Sequence, residues 1–375
     1  MATTMKLSKI ISSATEITAD MSPESGGGAG GSATLRRRVL TATLFFAAIA
    51  VPFFFLNNTA YPFLLLRGSS SMENEGGNLG RILKEAAMED KSVIITTLNE
   101  AWATPGSVFD LFLESFRIGN QTHGLVDHLV VVALDQKAYN RCLELHPHCF
   151  LLTTGDVDFS GGEKYFMSPD YLKMMWRRIL FLRSVLQLGY NFVFTDADIM
   201  WFRDPFPRFY KDADFQISCD RFNGNSLDSN NCPNGGFTYV KSNKRTIEFY
   251  KLWYLSRKSY PGLHDQDVLN MIKHQTSITK IGLKMRFLST TYFGGFCEIS
   301  KDLNQVCTMH ANCCVGLDRK VHDLKLMLED WRKYVSLPVA MKRSKPSSWR
   351  VPQVCLETFH QAPLKRDAPK GKKGN

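Results

Sequence analysis

The amino-acid sequence predicts an α/β fold, a single domain with a mostly parallel central sheet, preceded by one transmembrane helix. Three observations predict it. Runs such as Val93 to Leu98, "HLVVVALD" and "CFLLTT" are near-continuously apolar rather than alternating, the pattern of strands buried on both faces. Helical segments separate these runs, so successive strands run parallel with crossovers between them. Residues 39–56, "VLTATLFFAAIAVPFFFL", carry no charge and follow Arg36, Arg37 and Arg38.

As a helix, residues 39–56 span about 27 Å, close to the hydrocarbon thickness of a bilayer. A buried core helix would show a polar face, and this run has none. A cleaved signal peptide has a shorter apolar stretch and a small-residue cleavage site, whereas this run ends in "FFFLNN". The arginines favour a cytosolic N-terminus. The expected organisation is a disordered Ser, Thr and Gly-rich cytosolic tail at 1–38, a signal anchor at 39–56 and a stem at 57–90. The domain follows at 91–340, and a basic C-terminal tail at 341–375.

That topology puts the body in a secretory lumen, where disulfides form. Nine cysteines leave at least one unpaired. "CLELHPHC" has residue types that ligate zinc, but its spacing matches no closed site, and a disulfide or surface histidines is the expected reading. Sequons occur at Asn57, beside the membrane, and at Asn120, the better acceptor. The net charge of +10 does not mark a nucleic-acid binder. Residues 341–375 hold nine basic and two acidic side chains, so most of the excess sits in the tail, and the body has no Lys/Arg stripe.

Along the body, Val93 to Leu98 reads as the first strand, and Thr104 before Pro105 as a helix start. "HLVVVALD" ends in Asp135 and leads into a helix through "QKAYNRCLEL". Residues 149–154 form a third strand. Ser168, Pro169 and Gly189 bracket a long helix whose apolar face is Leu172, Met175, Ile179, Leu182 and Leu186. Beyond residue 210, strands are expected near "DFQIS", "GGFTYV", "LKMRFL" and "QVCTMH", and helices through "NKRTIEFYKLWYLSRKS" and "HDQDVLNMIK".

Residues 191–206, "NFVFTDADIMWFRDPF", end an apolar strand in Asp196 and Asp198. On a regular strand, carboxylates two residues apart point the same way and repel, so one takes a proton or both face a cation. Mg2+ and Mn2+ take oxygen ligands and bridge substrate phosphates with only one or two protein carboxylates. The carboxyl end of a parallel strand is also where such sheets bind ligands. An acidic surface turn is the plainer alternative, and Asp204, before Pro205, is read as a turn or cap residue. In "CPNGGFTYV", Gly235 and Gly236 permit close backbone approach, and Asn234 can bond hydroxyls, against the alternative of an ordinary turn. Asp265, Gln266 and Asp267 sit at a helix N-terminus, where acids are also ordinary dipole partners.

With "WRRILFLRSVLQLG" upstream and "CPNGGFTYVKSN" and "HDQDVLN" downstream, the Asp-Ala-Asp stretch resembles plant glycosyltransferase family 77, part of the nucleotide-diphospho-sugar transferase group, over roughly residues 90–335. The resemblance implies a GT-A type, Rossmann-like domain in a single-pass type II Golgi membrane protein, with the catalytic domain luminal. It implies a retaining, metal-dependent glycosyltransferase that moves a pentose or galactose from a UDP-sugar to a cell-wall polysaccharide or glycoprotein. Its implied partners are the nucleotide sugar, that acceptor and the Golgi membrane; no nucleic acid is expected, on the charge distribution above, and homo- or hetero-oligomerisation is left open.

By the same resemblance, Asp196 and Asp198 hold the metal and, through it, the donor diphosphate. His310, in "MHANCCVG", is the third ligand, against the alternative of an ordinary hydrogen-bonded histidine, and an imidazole favours Mn2+ over Mg2+. Thr97, Asn99 and Arg177 are expected at the nucleotide or its phosphates, the alternative for Arg177 being the solvated side of its helix. So is Lys320, although Gly316 and Lys320 follow His310 at a longer spacing than the related pattern. Asp265 and Gln266 take the catalytic positions, and Asn234, Gly235, Gly236 and Asp267 the substrate contacts. Retention through front-side displacement, with the leaving phosphate deprotonating the acceptor, and through a covalent carboxylate intermediate are both open. A non-catalytic, transferase-like subunit that anchors a partner enzyme is the alternative function; the intact Asp-Ala-Asp argues against it. A cytosolic-type nucleotidyltransferase fails on the membrane anchor and the missing glycine-rich loop.

Overall fold

The computed structural model describes residues 71–152, 164, 167–344 and 348–356. The chain divides at Glu73/Asn74, and the fold is that of the unit beginning at Asn74. The expected cytosolic tail and anchor at 39–56 lie outside the described residues. Among the described residues, no helix is long and apolar enough to cross a membrane.

Seven strands form the main sheet in the order β3-β2-β1-β4-β7-β6-β8. They are β1 (Ser92–Leu98), β2 (Leu129–Ala133), β3 (Cys149–Leu151), β4 (Asn191–Thr195), β6 (Phe215–Arg221), β7 (Cys232–Val240) and β8 (Met285–Phe287). β3, β2, β1 and β4 run parallel. β7 is antiparallel to both of its neighbours, and β8 is parallel to β6. The mostly parallel sheet expected from the apolar runs is therefore present, with one reversed strand.

Both faces are covered, as continuous apolar strands require. Val93, Ile95, Val130, Val132, Phe192 and Phe194 point to one side, with α1 (Ser71–Ala86), α5 (Pro169–Gln187) and α6 (Lys244–Ser256). Ile94, Leu129, Val131 and Val193 point to the other, with α3 (Val108–Ile118) and α9 (Leu317–Ser336). A second sheet, β5 (Ile199–Trp201), β10 (Thr308–His310) and β9 (Phe293–Gly295), shares that second layer. Local signals place the helices. Asp135 caps α4 (Gln136–Leu145), Ser168 caps α5 with Pro169 at its start, and Asn243 closes a capping box on α6.

The structure corrects three expectations and adds one element. The folded unit begins before residue 91, because Leu79, Ile82, Leu83 and Ala86 of the supposed stem are buried. Thr104 does not start a helix. It ends the short α2 (Glu100–Ala103), its hydroxyl bonding back to Glu100 O and Ala101 O; Gly106 then turns the chain at φ 77°, and α3 begins at Val108. The long α9 was not anticipated. Part of the supposed tail is also folded: α10 (Val339–Ser344) extends past 340, and 348–356 packs back through buried Val351 and Cys355. The "CLELHPHC" cysteines do pair, as Cys142–Cys149, joined by Cys297–Cys313 and Cys314–Cys355. Cys219, Cys232 and Cys307 are thiols.

Candidate active site

Asp196 and Asp198 lie not along a regular strand but in the turn that carries the chain from β4 of the large sheet to β5 of the small one. Three backbone bonds hold this turn: Asp196 N to Gly236 O at 2.7 Å, Ile199 N to Asp196 O at 3.1 Å, and Ala311 N to Asp198 O at 3.0 Å. The two carboxylates are thereby locked to β7 and to the segment leaving β10. β1 and β4 are parallel neighbours, so the turn shares the carboxyl edge of the sheet with Thr97 and Asn99.

Each carboxylate has one oxygen committed and one facing inward. Arg178 of α5, buried, donates to Asp196 Oδ1 at 2.9 Å and to Asp265 Oδ2 at 2.7 Å. Lys320 of α9 donates to Asp198 Oδ2, with its ammonium 5.3 Å from the Trp102 ring centre. His310 Nε2 lies 3.2 Å from Asp198 Oδ1 and 3.9 Å from Asp196 Oδ2. Asp198 Oδ1 is fully buried yet accepts no hydrogen bond. A buried acceptor left without a partner costs free energy unless a cation or donor meets it.

Electrostatics separate the two acids. Burial would raise Asp198, but Lys320 and His310 outweigh it and hold the carboxyl well below its usual range. Burial pushes Asp196 up, with Arg178 opposing the rise and Asp198 adding to it. Asp265 is almost fully enclosed; burial alone would raise it, and Arg178 with His264 instead brings it to about 2. Asp196, Asp198 and His310 thus offer two carboxylate oxygens and one imidazole nitrogen, all within 4.8 Å of one another, and form a group that could hold a metal ion. The donor set suits a hard or borderline divalent cation.

Residues 124–324, more than half of the chain, match the nucleotide-diphospho-sugar transferase family. The chain belongs to that family. It is 56% identical over 282 residues to an uncharacterized Arabidopsis thaliana protein, At4g15970, covering 75% of this chain and 74% of the relative. It is similar at 24% identity to UDP-D-xylose:L-fucose alpha-1,3-D-xylosyltransferase 3 of Arabidopsis thaliana, over 58% of this chain and 63% of that one. A beta-arabinofuranosyltransferase of the same plant, RAY1, is 25% identical over 32% of this chain and 23% of its own length.

Within this family member, most residues singled out from sequence come together. Gly236 lets the backbone pass beside the ligands: a Cβ there would lie 2.6 Å from Asp196 Oδ2 and 2.7 Å from His310 Cε1. At Gly235 the nearest atom to such a Cβ is 3.6 Å away, so only Gly236 is sterically required. Gln266 reaches the same place, its Oε1 accepting from Gly235 N at 2.9 Å. Asn99 is buried and serves as the N-cap of α2, its Oδ1 accepting from Trp102 N. Thr97, half-buried, is the last residue but one of β1, two residues before that cap. Asp267 is half-buried, 3.4 Å from His264 Nε2. Asn120 is exposed, its backbone bridged to Arg203, while the Thr122 hydroxyl of its sequon is buried on Phe116 O.

Three site residues escaped sequence reading. Arg178, rather than the neighbouring Arg177, makes the contacts to Asp196 and Asp265. The signal was present, because Arg178 falls three residues after Met175 and four before Leu182, a charge inside the apolar stripe of α5. Asn312 lies two residues past His310 and shares its setting. Asp220, at the end of β6, had no signal beyond its own type.

Proposed function

We propose that this protein is a metal-dependent, retaining glycosyltransferase that moves a pentose or galactose from a UDP-sugar to a cell-wall polysaccharide or glycoprotein in the Golgi lumen. One observation carries the reading. In a nucleotide-diphospho-sugar transferase, Asp196 Oδ2, Asp198 Oδ1 and His310 Nε2 converge, and the buried Asp198 Oδ1 faces His310 Nε2 at 3.2 Å without accepting a hydrogen bond. The xylosyl and arabinofuranosyl activities in the relatives' names favour a pentose.

Asp196, Asp198 and His310 would hold Mn2+ or Mg2+, which when bound supplies Lewis-acid neutralisation of a departing diphosphate. Lys320 adds a second positive charge beside the same carboxylates. Arg178 opposes the rise that burial imposes on Asp196, keeps Asp265 ionised and fixes both carboxylates, so Asp196 presents its other oxygen to the ligand set. The ion pair also makes Asp265 a poor nucleophile, which favours same-face displacement, with the leaving phosphate taking the acceptor proton. Asp265, Gln266 and Asn234 then line the sugar side. Thr97 and the α2 start lie where the nucleotide would enter.

The test is UDP release by the detergent-solubilised full-length chain across a panel of UDP-sugars with Mn2+. Release with one donor, lost on chelation, is the expected result. Turnover that survives chelation defeats the metal role, and no turnover with any UDP-sugar defeats the donor assignment.

A further inference from the structure

Asp220 closes β6 beside the site, and its carboxylate accepts three side-chain amides. Asn234 Nδ2 and Asn312 Nδ2 donate to its Oδ1 at 2.8 and 2.7 Å, and Gln266 Nε2 donates to its Oδ2 at 3.0 Å. The oxygen of each amide is also engaged, always by a backbone N–H. Gly236 N donates to Asn234 Oδ1 at 2.9 Å, Cys297 N to Asn312 Oδ1 at 3.1 Å, and Gly235 N to Gln266 Oε1 at 2.9 Å.

This pattern admits only one orientation of each amide. Turning any of them over would set a donor against a backbone donor and an oxygen against the carboxylate. The three amides come from β7, from α7 (Asp265–Ile272) and from the segment after β10, so a single carboxylate ties the large sheet, the helix start and the metal-ligand segment together. A carboxylate, which only accepts, suits three donors; a neutral side chain of the same shape does not.

We propose that Asp220 is a positioning residue of the transferase. It holds the Gln266 amide in the single orientation that serves the sugar side and, through Asn312, holds the segment carrying His310. This rests on the proposed function in placing Gln266 against the sugar.

The test uses the full-length protein with three variants: Asp220→Asn, Gln266→Glu, and the two together. In Asp220→Asn the new amide keeps its oxygen toward Asn234 and Asn312 but turns its NH2 onto the Gln266 NH2. The expected result is a fall in kcat of about 10- to 100-fold, with donor KM and Mn2+ affinity little changed. Adding Gln266→Glu supplies an acceptor for both the new amide and the Gly235 N–H. The double variant should therefore lose less melting temperature than the two single losses added. Wild-type kcat in Asp220→Asn, or strictly additive melting-temperature losses in the double variant, would overturn the proposal. If no UDP-sugar is turned over by the wild type, the transferase reading fails, and the melting-temperature coupling still decides whether Asp220 orients Gln266.

Discussion

Gly236 shows how tightly single residues constrain this site. Its Cα hydrogen faces Asp196 Oδ2, His310 Cε1 and Asn234 Oδ1, and a methyl group there would fall within 3 Å of all three. Gly236→Ala should weaken Mn2+ binding and lower turnover about tenfold or more, whereas Gly235→Ala should stay close to wild type. Isothermal titration with Mn2+ separates the two, and equal effects would show that the ligand set is more yielding than its spacing suggests. Replacing Asp196 or Asp198 with Asn should lower turnover by about two orders of magnitude through lost metal binding. Assays at limiting Mn2+ check this; unchanged turnover in both variants removes the metal role. Asp265 offers a pH test. Its carboxyl is held at about 2 against an ordinary 3.8, so it binds a proton less readily folded than unfolded. Its contribution, about 2 kcal/mol, is therefore complete above pH 4 and lost as the pH falls from about 4 to 2. Melting curves of Asp265→Asn should show lower stability at neutral pH and a shallower acid limb over that window.

Among the elements, the segment joining β10 to α9 is under the most constraint. It carries Asn312, follows His310 at the end of β10 and leads to Lys320 in α9, and within it stand adjacent Cys313 and Cys314, tied in opposite directions to Cys297 and Cys355. The 348–356 strap that supplies Cys355 is itself bound to α9. Arg350 pairs with Asp330, and Asp323 accepts the backbone N–H groups of Gln353 and Cys355. Trp349 bonds Ser300 O and packs on Phe202, the residue after β5. Cys314→Ser with Cys355→Ser should thus cost about 2–4 kcal/mol, for a crosslink spanning 41 residues, and lower turnover more than donor affinity. Thermal melts and kcat measured together check this; an unchanged melting temperature would show that the side-chain contacts of the strap suffice alone.

For the whole molecule, charge and topology set the expectations. The basic excess lies in 341–375, and the rest of the chain is nearly balanced in charge. The uncharged run at 39–56 after three arginines should hold the full chain in membranes with Asn120 on the luminal side. Carbonate-resistant pelleting of the full chain, together with a glycosidase-sensitive mobility shift abolished by Asn120→Gln, is the expected outcome. A soluble full-length chain, or a shift that survives the substitution, would contradict it.

Much of this was legible in the linear order of residues. Apolar continuity marks β1, β2 and β4, because a strand covered on both sides has no polar face to reveal. The caps at Asp135, Ser168 and Asn243 are local hydrogen-bonding features, complete within four residues. The acidic pair stood out because two carboxylates at the end of an apolar strand need a partner. The sequence also carried, in Arg178, a charge out of place on an apolar stripe, though that sign is plain only once the stripe is known to face the sheet. What the tertiary structure alone decided is where distant segments meet. Asp196 and His310 are 114 positions apart, and Asp220 gathers amides from three elements, contacts that depend on how the two sheets are laid against each other. No periodicity encodes such a meeting, because a side chain's long-range partner follows from the packing of whole layers and not from its neighbours in the chain.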